Sequence, residues 1–451
     1  MNGKNSGCQL TGGVGPAAAR GREQRSHPGQ IRGAKGKGED SRNLLPRIRF
    51  AFIALSLFTF YFSLSISGCG RTGFRAGEGV VPEVCTDYPR IVDYPNQAGT
   101  YSSLAFDRNN IPHIAYYDLL NNKGRLKYAQ AVTSQATCGW EIALVDDQGD
   151  DTGSSPNIVI GEDNLPRIIY SSSSQDSLLG IRSELRFAQK ILNPDGSGTF
   201  IWQKSALDNS GYRGLFASAV MDTSYLYHIV TINSNTMDLE YAYYNGTNSP
   251  SFEPAVSLKG YDISDVQVSI GVTPGAVPII ALHHPSGELW VLQRSSAPPN
   301  VGTWQSMVVE PFVNNEDRGR FVSLAVDGQG WPHLCYFRWA RSQSELWYNH
   351  FNGSSWQMSV VDTEGMTGAS CSIALNAAGR PLISYLNSSN NDLKIAFLRD
   401  PVNMRWDTWT VDYSLATGYA SDLAVSSVGN VGVSYFDFSL QGLKFYWIGF
   451  Y

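Results

Sequence analysis

Short runs of alternating apolar and polar residues, separated by Gly, Asn, Asp and Ser, recur along the chain from about residue 86 to its end. The clearest example lies between Gly319 and Gly365, where four such runs follow one another. Alternation with a period of two, rich in aromatic and β-branched residues, predicts β-strands, and the residues between the runs predict tight turns. This stretch therefore predicts one antiparallel sheet of four short strands.

The same pattern repeats seven times, which makes the repeat the main feature of the chain. One position, usually proline, marks the start of the second strand in each copy, and the spacings are 54, 61, 51, 54, 49 and 50 residues. The marks are Pro112, Pro166, Tyr227, Pro278, Pro332, Pro381 and Val431. The third strand carries a leucine in every copy: Leu126, Leu185, Leu239, Leu289, Leu346, Leu393 and Leu443. Seven units of this size predict a ring of packed sheets.

The seventh copy lacks its fourth strand, because the chain ends at Tyr451 soon after the third. A matching segment lies at the other end of the repeats, where Tyr88 to Tyr94 is similar to the strand ends at Asp362 and Asp412. An N-terminal strand that completes the C-terminal sheet would cover two open sheet edges. We therefore predict an all-β fold over residues 86–451: a seven-bladed β-propeller of four-stranded antiparallel blades, with the ring closed by the N-terminal strand.

The repeat text, S-L-A-x-D-x-x-G-x-P-H-I-x-Y-Y followed by L-K-Y-A, resembles the β-propeller repeats of uncharacterised bacterial envelope lipoproteins. The architecture implied is that of sialidase and kelch propellers, although the Asp-box spacing, the paired glycines of kelch repeats and the Trp-Asp ending of WD repeats do not recur. The acidic stretch from Asp146 to Asp151 departs from integrin-like calcium loops. The resemblance implies architecture and no particular activity.

The first 68 residues differ from the rest. Residues 1–46 are rich in Gly, Ser and Arg without apolar periodicity, which predicts a disordered basic leader. Residues 47–68 carry two arginines and then an apolar run, which is typical of a signal peptide. The run ends in Ile66-Ser67-Gly68-Cys69, which resembles a bacterial lipobox with Cys69 as the lipidated residue, followed by a linker over 69–85. An uncleaved membrane anchor is the alternative. Gly70 stands where an inner-membrane retention signal would have Asp, so the outer membrane is favoured.

Composition limits the partners. Removing residues 1–68 takes away 10 of 34 basic and 3 of 40 acidic residues, which leaves 24 against 37 and a net charge of −13. An acidic protein repels phosphate backbones, so nucleic acid is not expected as a partner. We expect a monomer that touches the membrane through its lipid alone.

Six cysteines are present, with no C-x-x-C spacing to suggest zinc or a redox pair. Cys8 lies in the leader and Cys69 is the lipid candidate. Cys85 and Cys138 occupy matching segments and are possible disulfide partners in an exported chain. Cys335 and Cys371 occupy small-residue positions, which predicts buried free thiols.

Residues that recur at one position in several blades are interpreted as architecture. His113, His228 and His333 all follow the mark, which predicts packing or a hydrogen bond to a neighbouring blade. The residues that begin the first hairpin turn are predicted to cap their own backbone. These are Asp107, Asp222, Asp327 and Asn376.

The position six residues past the mark is polar in all seven copies and varies between them, as expected of a ligand-facing ring or of any solvent-exposed loop. It holds Asp118, Ser172, Asn233, His284, Arg338, Asn387 and Asp437. His283, Trp339 and Arg341 lie beside it, so His283, His284, Arg338, Trp339 and Arg341 are the candidate ligand contacts. They suit an acidic sugar or a carboxylate-bearing peptide, unless the arginines pair with nearby acids. Asp118 and Asp437 are candidates to share a cation.

Neither G-x-S-x-G nor H-E-x-x-H occurs, so no catalytic set is predicted and no cofactor is indicated. The favoured interpretation is a non-catalytic binding protein of the cell envelope that holds a glycan, peptide or protein at the polar rim of the channel. A glycoside hydrolase or lyase that uses rim carboxylates, and a scaffold propeller in an envelope complex, are the alternatives.

Overall fold

The computed structural model describes residues 89–134, 139–176, 180–313, 315–340, 343–414 and 416–450. These residues form 28 strands in seven sheets, and a 3-10 turn at Ile263–Asp265 is the one helical element in this part of the chain. No helix among the described residues is long and apolar enough to cross a membrane. The predicted all-β, seven-bladed propeller is confirmed.

Each blade is a four-stranded antiparallel meander that runs outward from the channel. Blade 1 contains β2 (Ser102–Phe106), β3 (Pro112–Leu120), β4 (Lys123–Ala131) and β5 (Trp140–Asp146). Blade 2 contains β6 (Asp151–Ile160), β7 (Pro166–Asp176), β8 (Gly180–Leu192) and β9 (Phe200–Ala206). Blade 3 contains β10 (Leu215–Met221), β11 (Tyr227–Asn233), β12 (Asp238–Tyr244) and β13 (Ser251–Ser257). Blade 4 contains β14 (Gln267–Val272), β15 (Pro278–His284), β16 (Glu288–Arg294) and β17 (Trp304–Glu310).

Blade 5 contains β18 (Asp317–Val326), β19 (Pro332–Ala340), β20 (Gln343–Phe351) and β21 (Trp356–Asp362). Blade 6 contains β22 (Thr367–Leu375), β23 (Pro381–Asn387), β24 (Asp392–Asp400) and β25 (Arg405–Asp412). Blade 7 contains β26 (Tyr419–Val425), β27 (Asn430–Asp437), β28 (Gly442–Phe450) and, from the other end of the chain, β1 (Arg90–Asp93). β1 pairs antiparallel with β28, with Arg90 opposite Phe445, so the predicted closure of the ring is confirmed.

A ring of hydrogen bonds joins the innermost strands around the channel. In each blade one side-chain oxygen of the inner strand accepts a hydrogen bond from a backbone N–H of the next blade, at 2.7 to 3.3 Å. The seven pairs, acceptor first, are Ser103 with Ile158, Asn157 with Ala219, Ser218 with Ile270, Ser269 with Leu324, Ser323 with Ile373, Ser372 with Leu423 and Asp422 with Leu104. Every blade is thus linked to the next, including blade 7 to blade 1.

The leucine of every third strand is fully buried, and its contacts explain why it recurs. In five of the seven blade junctions a glycine with positive φ lies against the leucine of the preceding blade. A Cβ on Gly153 would come within 2.8 Å of Leu126, and one on Gly418 within 2.9 Å of Leu393. The glycine both supplies the left-handed backbone and leaves room for the leucine.

A second repeated contact joins the outer part of one blade to the middle of the next. Asp412, at the end of the fourth strand of blade 6, accepts hydrogen bonds from the Tyr435 hydroxyl at 2.7 Å and from Lys444 Nζ at 3.1 Å, both in blade 7. The same Tyr–Asp–Lys contact recurs at Asp362 and Asp93. Burial raises the pKa of these tyrosines, so the phenols stay protonated and donate to the carboxylates.

The recurrent histidines have the predicted structural role, but their hydrogen-bond partners lie in their own blade and not in the neighbouring one. His113 Nδ1 lies 2.5 Å from the Tyr128 hydroxyl, and Nε2 faces Asp107 at 3.5 Å. Both partners belong to the same blade, so these histidines stiffen their own blade. Burial lowers the pKa of His113 and of His333 to about 4. The turn residue Asp107 also caps its own hairpin, as predicted, because it accepts from the N–H groups of Asn109 and Ile111.

The prediction of free thiols at Cys335 and Cys371 is wrong, because the two residues form a disulfide. Cys335 lies on the second strand of blade 5 and Cys371 on the inner strand of blade 6, with 6.4 Å between their Cα atoms. The bond is an inter-blade link close to the channel. Cys85 and Cys138 lie outside the described residues, and so do the leader, the signal peptide and Cys69.

We expect the disulfide to stabilise the ring. Closing a loop across a sequence separation of 36 residues corresponds to about 4 kcal/mol of unfolding free energy on chain-entropy grounds. Adding dithiothreitol should lower the melting temperature of the wild type, measured by circular dichroism, and should leave a Cys335→Ala/Cys371→Ala variant unchanged. Equal melting temperatures of oxidised and reduced wild type would contradict this role.

Asp422 is the one carboxyl group in the channel ring, and burial raises its pKa above the ordinary value of 3.8, although hydrogen bonds such as that from the Leu104 N–H oppose the effect. A carboxyl whose pKa is raised on folding contributes stability below its unfolded pKa, and that contribution is lost as the pH rises through its folded pKa. Asp422→Asn should therefore raise the melting temperature at pH 7, on the order of 2 °C, and the gain should disappear near pH 3.5.

The control is Ser269→Ala, which leaves the Leu324 N–H without its acceptor and should lower the melting temperature at both pH values. A destabilised Asp422→Asn protein at pH 7 would show that the ionised carboxylate stabilises the ring.

Candidate functional site

The meander gives the propeller two different faces. The loops that follow the second and fourth strands of each blade lie together on one face, which we call the rim face, and the hairpin turns after the first and third strands lie on the other, the base face. Four of the predicted ligand contacts, His283, His284, Arg338 and Trp339, lie at the rim-face ends of β15 and β19. Arg341 lies outside the described residues.

The predicted polar ring is largely buried. Six of its seven members have little exposed surface, and Arg338 is half-buried. Several of them cap the loop that follows their own strand: Asn233 accepts from the N–H of Asn235, Asn387 from that of Ser389, and Asp437 from that of Leu440. A strand that leaves the sheet needs acceptors for its loop, which explains why this position is polar in every copy.

Asp118 and Asp437 are already neutralised by basic side chains. Asp118 accepts from Arg125 Nε at 2.8 Å, and Asp437 pairs with Lys444 at 2.7 Å. Lys127 also reaches Asp118 at 3.5 Å. Among the residues that the structure describes, no three His, Cys, Asp or Glu side chains are grouped so that they could hold a metal ion.

Blades 4 and 5 depart from the repeat at the residue after the conserved leucine. Lys394 and Lys444 occupy this position in blades 6 and 7 and bind the aspartate of the preceding blade, whereas blades 4 and 5 carry Trp290 and Trp347. In both blades the indole N–H donates to the glutamate two residues earlier: Trp290 to Glu288 at 3.0 Å and Trp347 to Glu345 at 2.8 Å.

The side chains that lie over these indoles are the predicted site residues. The His284 ring stacks on Trp290 with ring centres 4.4 Å apart, and the Arg338 guanidinium lies 4.6 Å from the centre of the Trp347 ring. Burial lowers the pKa of His284, which leaves a neutral ring on the indole. The structure therefore places His284 and Arg338 over equivalent indoles in consecutive blades.

The basic side chains here are paired with acids of the loop between blades 4 and 5. Arg338 donates to Glu316 at 2.6 Å, and Arg318 donates to the same carboxylate at 2.8 Å. These hydrogen bonds, first from Arg318 and then from Arg338, hold the pKa of Glu316 below its ordinary value. The alternative in which rim arginines pair with nearby acids is thus realised for Arg338.

His283 belongs to a separate charged cluster in the same loop. Its Nε2 lies 2.7 Å from Asp317 and its Nδ1 3.0 Å from the Asp265 carbonyl oxygen, while Arg320 binds both carboxylates. Burial acts to raise the pKa of Asp317, but hydrogen bonds from His283 and Arg320 outweigh it and leave the pKa lowered. Burial raises the pKa of Asp265 despite the attraction of Arg320.

Exposed aromatic side chains are concentrated on the rim face. Of the eight exposed Phe, Tyr and Trp residues in the described part of the chain, seven lie in rim loops or at the strand ends beside them. They are Tyr94, Tyr101, Tyr261, Phe312, Trp339, Tyr413 and Phe438, and Phe200 is the exception. Only Trp339 was predicted from the sequence. The other six lie in loops that follow a fourth or a second strand, a position that the repeat alignment could have revealed.

Tyr261 and Phe312 lie on the His284 side of these pairs, and Trp339 is the neighbour of Arg338 in the chain; we call this area the blade 4–5 site. Tyr261 contacts His284 edge-on at 4.7 Å. Phe312 packs over Gly287, which lies three residues after His284 in the loop between β15 and β16. Trp339 follows Arg338 directly in blade 5. Exposed ring faces beside neutralised charges form a surface suited to stacking and hydrogen bonding with a polar ligand.

No protein-family model matches the chain, and no curated protein matches it in sequence. Solved structures do match in fold. A PL25 ulvan lyase is 12% identical, with 80% of this chain and 92% of that chain covered and a TM-score of 0.51. The polysaccharide lyase Uly1 is 10% identical, with 82% and 95% covered and a TM-score of 0.50. An α-L-arabinofuranosidase of Fusarium graminearum is 9% identical, with 80% and 96% covered and a TM-score of 0.47. At these identities the likeness extends to the fold alone.

Proposed function

We propose that the protein is a non-catalytic binding protein of the bacterial cell envelope that holds a glycan on its rim face. The observation that carries this proposal is the concentration of exposed aromatic rings on one of the two faces. Sugar rings present flat C–H faces that stack on aromatic side chains, and the adjoining polar groups select among their hydroxyls. A peptide or an envelope protein is the other kind of ligand that such a face would accept.

Two features support a glycan as the ligand class. The two solved propellers with the higher TM-scores are named for lyases of polysaccharides. In addition, Arg338 is already paired with Glu316, so the guanidinium at the blade 4–5 site is not free to bind an acidic ligand. An acidic sugar would have to displace Glu316 from Arg338, whereas a neutral sugar would not.

The test is binding of neutral and acidic oligosaccharides, measured by calorimetry after a glycan-array screen. Tyr261→Ala and Trp339→Ala should each weaken binding about 3–10-fold, the effect expected for loss of one aromatic stack. Phe200→Ala is the matched control, since Phe200 is equally exposed and lies away from the rim face. Unchanged affinity in both rim variants would remove the blade 4–5 site from the proposal.

A glycoside hydrolase or lyase is the second candidate, and one observation favours it. Asp265 and Asp317 lie on either side of His283, and their environments move their pKa values in opposite directions. Two carboxyl groups whose environments move their pKa values apart are the kind of pair that glycoside hydrolysis uses. Release of reducing ends from a polysaccharide panel by the wild type, abolished in Asp317→Asn, would establish the enzyme in place of the binding protein.

The envelope location is part of the proposal. The disulfide between Cys335 and Cys371 supports export, because disulfides persist in oxidising compartments. Cys69→Ser should abolish incorporation of labelled fatty acid and release the protein from membranes. Undiminished labelling would contradict the lipid anchor, and a membrane-bound but unlabelled protein would indicate the uncleaved anchor.

A further inference from the structure

The base face carries a departure from the repeat that the rim function does not use. Each blade turns from its first to its second strand through a tight turn, and the last residue of that turn has positive φ in all seven blades. These residues are Asn110, Asn164, Tyr225, Ala276, Gly330, Gly379 and Gly429. Asn, Gly and Ala are small, and Asn and Gly tolerate this conformation. Tyr225, with φ of 61°, is the one bulky residue at the position, so its backbone is strained. Such strain persists where the side chain makes a contact that offsets it.

The Tyr225 hydroxyl binds a guanidinium two blades away. Arg108, on the corresponding turn of blade 1, donates from Nη2 to this oxygen at 2.8 Å. The Arg108 backbone N–H donates to the Asn164 side chain, which belongs to the turn of blade 2 between them. The arginine is therefore held across the turns of three consecutive blades.

Arg108 has no acidic partner among the residues that the structure describes, although most of the rim arginines do. Its guanidinium is exposed, and Asp107 beside it is occupied by its own turn and by Asn164. Because the phenol oxygen accepts from Arg108, its own hydrogen remains able to donate. Two hydrogen-bond donors, one of them charged, thus lie together without an anion.

These donors stand at the edge of a pocket of about 300 Å³ at the base mouth of the channel. Phe106, Ile160 and Val425, at the ends of three inner strands, form its apolar wall. Ser426 and Ser427 complete the lining on the blade 7 side. The buried carboxylate of Asp107 also lines the pocket, but its oxygens are engaged by its own turn and by Asn164. The pocket therefore combines one exposed cation, one engaged carboxylate and an apolar wall, and its volume fits a small organic molecule.

We propose that this pocket is a second binding site, separate from the rim face, for a small organic carboxylate. The carboxylate would accept from the guanidinium of Arg108 and the hydroxyl of Tyr225, and the apolar part of the ligand would contact Phe106 and Ile160. The strained backbone at Tyr225 is retained because only a long side chain with a hydroxyl reaches Arg108 from that turn.

The experiment is a titration of the full-length protein with benzoate, in which binding is measured by ligand-observed NMR. Benzamide, which has the same shape without the charge, and inorganic phosphate, which has the charge without the ring, are the comparison ligands. Benzoate should bind at least about tenfold more tightly than either. Arg108→Gln should weaken benzoate binding by about tenfold or more, the size expected for loss of a charged hydrogen bond. Arg380→Gln, another exposed arginine next to a base-face turn, should have no effect.

Two variants separate binding from stability. Tyr225→Phe keeps the strained backbone and removes the hydroxyl, so it should weaken benzoate binding at an unchanged melting temperature. Tyr225→Asn places the residue of blades 1 and 2 in the same turn, so it should raise the melting temperature and also weaken binding. Absence of benzoate binding, equal binding of benzamide, or full binding by Arg108→Gln would each overturn the site. A lower melting temperature in Tyr225→Asn would show that Tyr225 is retained for stability.

Discussion

The fold depends on the hydrogen bonds that join consecutive inner strands around the channel. An inner strand has no neighbour on its channel side, so any backbone N–H that points to the next blade must find an acceptor there. Seven short polar side chains supply it, one per blade, and the last of them, Asp422, binds blade 1 at Leu104. Because every blade is both donor and acceptor, one missing member would leave an unpaired N–H in the wall and weaken the ring at that junction.

The sequence predicted the blade count, the split seventh blade and the buried leucines because these follow from period and repeat length alone. The ring of acceptors is also present in the sequence, as the serine of the S-L-A text, but its partner lies in another repeat about 50 residues away, for example Ser323 and Ile373. The disulfide was missed for the same reason. Cys335 and Cys371 occupy different strands of different blades, and only the packing of blade 5 against blade 6 brings them together.

The candidate site was predicted in part. His284 and Arg338 do occupy equivalent places over two indoles, and Trp339 is exposed. The polar ring itself has a simpler cause, since its members cap the loops after their own strands. The most informative position was the residue after the recurrent leucine, which is Lys in blades 6 and 7 and Trp in blades 4 and 5. Its meaning depends on a cross-blade contact with the preceding aspartate, which a linear alignment of the repeats does not contain.

Departures from an otherwise repeated architecture are more informative than the repeats, because each one gives up either a stabilising contact or a residue suited to the backbone conformation. Trp290 and Trp347 replace the lysines that bind an aspartate across the junction, and Tyr225 replaces a small residue at a left-handed position. The first two lie on the rim face and the third on the base face, with the ring of inner strands between them. That ring is held by hydrogen bonds at every junction, and coupling between distant sites requires an element with two discrete arrangements. The two faces should therefore bind their ligands independently.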